Sequence, residues 1–386
     1  MVSICKGSLT KTLFLTLALT FIASPVLAIP PDPDNAALLY YQGFLMLAQL
    51  EEVAWDHISN VARGKAEPDD KAREYISKCA GAIEFAEVAV KVPKCHWGVR
   101  YSQGFEALMP QLPQMRRLTF VLMVDARIRA ADGDYKAALE RCLMAGTFAR
   151  HVGDDTLISY LVSIAVRNLS YTCMRDIIGR AAGDVELLQW LKNKLATSDT
   201  VDLSPIRPLK IEIEIVSNLI RIDNVDKFAW VLALSDEKKA MEIIKKADEE
   251  TLNQARRIYS ERMKSALTIL STPMPYEQAH SRLKQLAEFD QNDPVSMAAK
   301  FFAPALDKVL YQMTAVETHA NAIKAAIEIL MIHAKTGRLP DALPSELPKD
   351  GFSGKDFEYE KMKEGFVLRC PGKDSDVYRY EFKIKK

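Results

Sequence analysis

The sequence predicts a mainly α protein: a body of αα-hairpins closed by a small C-terminal antiparallel β-meander. Three observations carry that expectation. Apolar residues recur at helical spacing, with polar faces opposite them, from about residue 35 to residue 335. Capping residues and prolines punctuate that stretch where helices should start and stop. Beyond it come short alternating runs bounded by glycines, FEYEK (357–361), GFVLRC (365–370) and VYRYEFKIK (377–385). Their period of two is that of strands.

The first residues set the expected compartment. Lys6 and Lys11 lead into an apolar run of 11 residues, 13–23. Ser24-Pro25 breaks it, and Val26-Leu27-Ala28 offers compact residues at the −3 and −1 positions of a cleavage site. This order is that of a secretory signal peptide, and the run is far shorter than the roughly 18–20 residues a membrane span needs. An uncleaved N-terminal anchor is the alternative. We expect a signal segment over 1–28 with cleavage near Ala28, a helical body over 29–335, and a Pro-rich linker with a β-region over 336–386. The protein is then exported, periplasmic or extracellular, with no transmembrane span in the mature chain.

The helices follow in order. Asp34 or Asn35 can cap a helix over 36–62, where Leu38, Leu45, Ala48, Val53 and Ile58 recur at helical spacing. Pro68-Asp69-Asp70 opens the next, acids in its first turn, and Pro93 closes it. Pro113 starts a helix running to about Ala131, and others are readable at 135–151, 154–179, 184–197, 208–222, 236–271 and 275–290. Asp293-Pro294 begins the last, which should run unbroken to Lys335. TGRLPDALPSELP (336–348) then ends it with three prolines and a glycine. The three strands should form a meander, with Met362-Lys363-Glu364 as the first hairpin loop and Gly365 supplying its special dihedrals. Their aromatic face needs a lid, and Ile327, Leu330 and Met331 near the end of the long helix are the expected one.

Three stretches carry resemblances. Gly133-Asp134-Tyr135 in a tight turn, followed by Ala138 and Ala145, resembles the second half of a tetratricopeptide repeat, so the body is TPR-like or an ordinary αα-hairpin array. Three copies at the 34-residue period are not found. The phrases GRLPDAL, LPKDGFSGKDFEY and EGFVLRCPGKD resemble the C-terminal β-region of type II secretion pseudopilins, over about a tenth of the chain. Gly351 stands where that pattern has Pro, and the N-terminus lacks the pilin-type helix, so a filament subunit is not implied. The resemblance implies calcium at the tail, for which Asp374 and Asp376 are the candidates, two carboxylates against the six to eight oxygens calcium takes. Residues 94–166, from Cys95-His96-Trp97-Gly98 through GDYKAAL to ARHVGDDTLISYLV, are similar to a group of secreted bacterial helical proteins. That similarity implies an architecture and no mechanism.

Without residues 1–28 the chain has 49 basic and 51 acidic side chains, a balance that argues against nucleic acid as the partner. The six histidines form no HExxH and no i, i+4 pair, and there is no GxSxG, P-loop or dinucleotide fingerprint. Five cysteines follow the signal segment with no CxxC, so no zinc or thioredoxin-like site and no cofactor is indicated. Several should be small buried hydrophobes; Cys79 and Cys95 are the candidate disulfide. His151, Asp154 and Asp155 admit a general-base reading, but helix capping explains their types and spacing. His96, Trp97, Arg100 and Tyr101 could line a ligand pocket, with Trp97 otherwise a packed loop anchor. The expectation is an exported, non-enzymatic helical scaffold that binds a protein or peptide. The alternative is an envelope hydrolase or other enzyme with a site around His96 and His151.

Overall fold

The computed structural model describes residues 32–384, apart from 154, 199–203, 225–245, 345 and 372–377. The expected signal segment, residues 1–28, and Asp154, Asp374 and Asp376 lie outside the described residues. From residue 35 onward the chain forms a single unit, mainly helical with a three-stranded antiparallel sheet at its C-terminal end. No helix among the described residues is long and apolar enough to cross a membrane.

The expected helix over 36–62 is two helices. α1 (Ala36–Leu45) is capped by Asn35, and α2 (Glu52–Ala62) follows a non-helical stretch. The physical reason is packing. α1 lies against the helix over Ala80–Ala89 and α2 against the one over Gln111–Ala131, and one straight rod cannot serve both. The next expected helix is also divided, into α3 (Asp70–Lys78) and α4 (Ala80–Ala89), at Cys79. Asp69 caps α3, accepting from the Ala72 N–H at 2.8 Å.

α5 (Gln111–Ala131), α6 (Tyr135–Val152) and α7 (Leu157–Arg180) pack on one another in sequence, and α7 also returns onto α5. Asp134 caps α6 as the turn chemistry requires, and Ala138 and Ala145 are buried where α6 meets its neighbours. The cap of α7 is Thr156, in a reciprocal box with Ser159, rather than Asp154. Arg127 on α5 ties three helices together. Its guanidinium donates to the Ala62 carbonyl at 3.2 Å and to Asp176 of α7 at 2.8 Å.

α8 (Val185–Ser198) and α9 (Ile206–Leu219) lead to α10 (Glu249–Ser271), capped by Asp248. The upstream part of its expected range is mostly outside the described residues. α11 (Tyr276–Leu286) lies against α10 and the long last helix. The helix expected from Pro294 to Lys335 breaks at Ala303-Pro304-Ala305, giving α12 (Pro294–Phe302) and α13 (Leu306–Thr336). Pro304 lacks the N–H that a continuous helix needs. α13 packs along α7 and α8 and ends at Gly337 in the left-handed conformation, where the sequence places its stop.

The tail is the expected meander: β1 (Glu358–Met362), β2 (Gly365–Arg369) and β3 (Arg379–Lys383), in that order. Gly365 opens β2 at φ 130°, opposite Met362, so the loop is Lys363-Glu364. Tyr359, Leu368 and Tyr380 pair across the sheet in one row, Lys361, Phe366 and Phe382 in the next. Side chains two apart share a face, which puts the aromatics together; Phe366 and Phe382 stack at 5.0 Å.

The lid differs from the expected one. The contacts fall on the first half of α13, where Tyr378 donates to the Tyr311 hydroxyl and the Tyr380 ring lies 5.0 Å from His319. β3 also lies on α7 at Gly179, where an added Cβ would overlap the Lys383 carbonyl oxygen. The DGFSGK stretch is a tight turn with Asp350 and Phe352 buried. The Asp350 carboxylate accepts from the Phe352 and Ser353 N–H groups and the Ser353 hydroxyl, and Gly351 donates to Thr318 Oγ1 on α13. Phe352 is thereby set among Tyr276, Tyr311 and Tyr378.

Candidate functional site

The loop after α4 carries Cys95-His96-Trp97-Gly98, and one asparagine fixes it. Asn35 Oδ1 accepts from the His96 N–H at 2.9 Å while its Nδ2 donates to the His96 carbonyl at 3.0 Å. The backbone is thus held from both sides, and the next side chain, Trp97, turns inward. Its ring stacks on Tyr40 at 5.6 Å and lies edge-on to Tyr41. Its indole N–H donates to the His151 carbonyl at 2.7 Å, at the C-terminal end of α6. Trp97 is therefore the packed anchor and one wall of a cavity at the same time.

His151 is buried behind that wall. Its Nδ1 shares a hydrogen bond with the Tyr40 hydroxyl at 3.0 Å, and its Nε2 is sealed without a partner. Burial, with Arg150 adding to it, holds the imidazole pKa down to about 4, so it is neutral near pH 7. Burial also raises the Tyr40 phenol, which disfavours a phenolate. A neutral, enclosed imidazole bonded to a phenol is a packing unit, and it has no open path to a substrate proton. Tyr101 donates to Asp155 Oδ2 at 2.7 Å, which braces the loop against the start of α7. His96 faces solvent, its Nδ1 accepting from the Gly98 N–H at 3.2 Å.

Of the residues named from the sequence, Trp97 and Arg100 line one cavity, Tyr101 and His151 support it from behind, and His96 points away. The cavity holds about 160 Å³ and is lined by Tyr41, Trp97, Arg100, Gln103, Leu108 and Gln111 among others. That is room for one mid-sized apolar side chain. Leu108 stands 80% exposed at the rim. Arg100 is exposed and makes no side-chain hydrogen bond or ion pair among the described residues. Gln111 is only 3% exposed, and its Oε1 has no hydrogen-bond partner. An orphan acceptor beside a cavity is a polar request that the protein itself does not meet.

Sequence reading missed Tyr41, Gln103, Leu108 and Gln111. Leu108-Met109-Pro110 was the available signal, an apolar pair in a loop just ahead of a helix. Gln111 gave none, because a glutamine in a first helical turn reads as solvent-facing.

A larger cavity, about 570 Å³, lies between α8, α13 and the Pro-rich linker, with Leu195, Ile327, Ile332 and Leu347 on its apolar walls. Lys192 and Glu328 pair across it at 2.6 Å, so two of its charges already satisfy each other. Glu346 on its linker side has φ 67°. It is the roomier space, but the polar demand sits at the Trp97 cavity.

Cys79 and Cys95, like Cys142, Cys173 and Cys370, are free thiols in the structure; Cys79 meets the Ala48 backbone and Cys95 that of Ala37. Among the described residues no group of three or more His, Cys, Asp or Glu could hold a metal ion. Compared with known proteins, the chain matches no family model, and no curated protein and no solved structure matches it.

Proposed function

We propose that this chain is an exported, non-enzymatic helical binding protein of the cell envelope or exterior, and that its ligand is an extended peptide segment. An apolar side chain enters the Trp97 cavity, a neighbouring carboxylate meets Arg100, and Gln111 turns its enclosed Oε1 out to a peptide N–H. The observation that carries this reading is an aromatic cavity lined by a buried Gln111 acceptor and the Arg100 guanidinium, neither of which has a side-chain partner among the described residues. Aromatic walls with a few placed polar groups are the usual make-up of such pockets. A near-neutral surface charge supports a peptide rather than nucleic acid. The TPR-like hairpin α5–α6 and the pseudopilin-like tail belong to the same reading, the tail serving as a cap on the body rather than as a filament element.

The test is selection from a displayed random peptide library on the immobilised mature protein. Enrichment of an aliphatic or aromatic residue beside Asp or Glu is expected. Arg100→Gln should weaken the selected peptides by about 10- to 100-fold, since charge-assisted hydrogen bonds contribute about 1.5–3 kcal/mol. Selected peptides that bind the Arg100→Gln and Gln111→Leu variants as tightly as the parent would place the site elsewhere.

A further inference from the structure

We propose that Cys142 and Cys173 are joined by a disulfide in the oxidised protein, a covalent staple between α6 and α7. Both are wholly buried, on facing helices that pack along their length. Ser170 donates to the Cys142 carbonyl at 2.7 Å, which fixes the register of the two helices at this point. Cys173 lies three residues further on, so it shares the α7 face that Ser170 presents to α6. The two thiols meet side chain to side chain, and that contact draws Cys173 down while it pushes Cys142 up. The Cys173 sulfur also lies 3.9 Å from the Met123 carbonyl on α5, which holds it at the helix junction. In the structure both are free thiols, so the staple is a bond that oxidation adds.

The chemistry is thiol–disulfide exchange. One thiol gives up its proton, and its thiolate attacks the disulfide of a donor, a thioredoxin-type protein disulfide or glutathione disulfide. A mixed disulfide forms and one donor sulfur leaves as a thiolate. The second cysteine, deprotonated in turn, displaces the other donor sulfur. Two electrons and two protons pass from the pair, and the donor is left as a dithiol or as two thiols. In the folded protein no donor reaches either sulfur, so the bond must form before α6 and α7 close on each other. Once made, it is equally shielded from reductants.

The test refolds the full chain from its denatured, reduced state in a glutathione redox buffer, traps free thiols with iodoacetamide after denaturation, and maps unreduced peptides by mass spectrometry. A linked Cys142–Cys173 peptide is expected, with Cys79 carrying the alkyl label. Both Cys142 and Cys173 alkylated in protein that has regained its helical circular dichroism would overturn the proposal. A second readout is thermal. Denaturing in reductant and refolding without an oxidant should lower the melting temperature by several degrees in the parent and leave a Cys142→Ala/Cys173→Ala variant unchanged. An equal melting temperature for the oxidised and reduced parent would equally count against a staple. Neither readout depends on export or on peptide binding.

Discussion

The indole N–H of Trp97 donates to the carbonyl oxygen of His151 at 2.7 Å, so the loop after α4 caps the end of α6. The last carbonyls of a helix have no partner within it, and here one of them is met by a side chain more than fifty residues earlier. Trp97→Phe keeps most of the ring packing and removes the donor. We expect a loss of about 1–3 kcal/mol, read as a lower urea midpoint at unchanged slope. A midpoint equal to the parent would mean that the carbonyl is met by water and that the bond is dispensable.

Acid should weaken the fold through two histidines. His151 is held down to about 4 by burial and Arg150. His319 is held down to about 3 by burial and Arg175, between Asn168 at 2.8 Å and the rings of Tyr171 and Tyr380. Both folded values are depressed below the unfolded one of about 6.5, so below that pH the unfolded chain binds protons that the folded chain refuses. Stability is whole above pH 6.5 and falls as the pH is lowered toward 4 and then 3. His151 alone accounts for about 3 kcal/mol across its window. Urea unfolding at pH 7, 5.5 and 4.5 measures the slope, and His319→Gln should flatten it. A slope that is the same with and without His319 would assign the acid sensitivity to His151 and the carboxylates.

Gly179 offers a test whose sign is opposite to the ordinary one. Glycine to alanine within a helix usually stabilises by about 1 kcal/mol. Here the new methyl would meet the Lys383 carbonyl on β3. Gly179→Ala should therefore destabilise by about 1–3 kcal/mol and speed amide exchange over residues 379–383. A stabilised variant would show that β3 does not lie this close to α7.

The tail predicts two further outcomes. Asp350→Ala leaves the Phe352 and Ser353 N–H groups without their acceptor inside a buried turn, which should cost about 2–4 kcal/mol. Truncation after Lys335 should expose Tyr311 and the α7 face at Gly179, lower the melting temperature and raise dye binding, while circular dichroism stays helical. A truncated chain that melts like the parent and binds no more dye would make the sheet an independent module.

Much of the architecture could be read from the sequence because it rests on local chemistry. Asn35, Asp69, Asp134 and Asp293 each cap the helix that the pattern starts there. The meander was legible for the same reason, since alternation fixes which side chains share a face. The breaks at 46–51 and at Cys79 were not, because nothing in FLMLAQLE or SKCAG stops a helix; the partners that α1 and α2 must reach decide them. Pro304 is a break that the sequence does display, since its ring nitrogen has no N–H to donate. At the site, Trp97 and Arg100 stood out by residue type. Gln111 did not, because what makes it notable is the absence of a partner, which only tertiary packing creates.

The contact between Gly179 and Lys383 also constrains time. The α7 surface at Gly179 waits for a strand made about 200 residues later, which at roughly 5–20 residues per second is about 10–40 s of synthesis. Until that strand arrives, the middle of the body has an uncovered seam. A chain still emerging from the ribosome thus lacks the piece that locks it. β3 therefore supplies the closing contact of this seam, long after the helix it covers has been made.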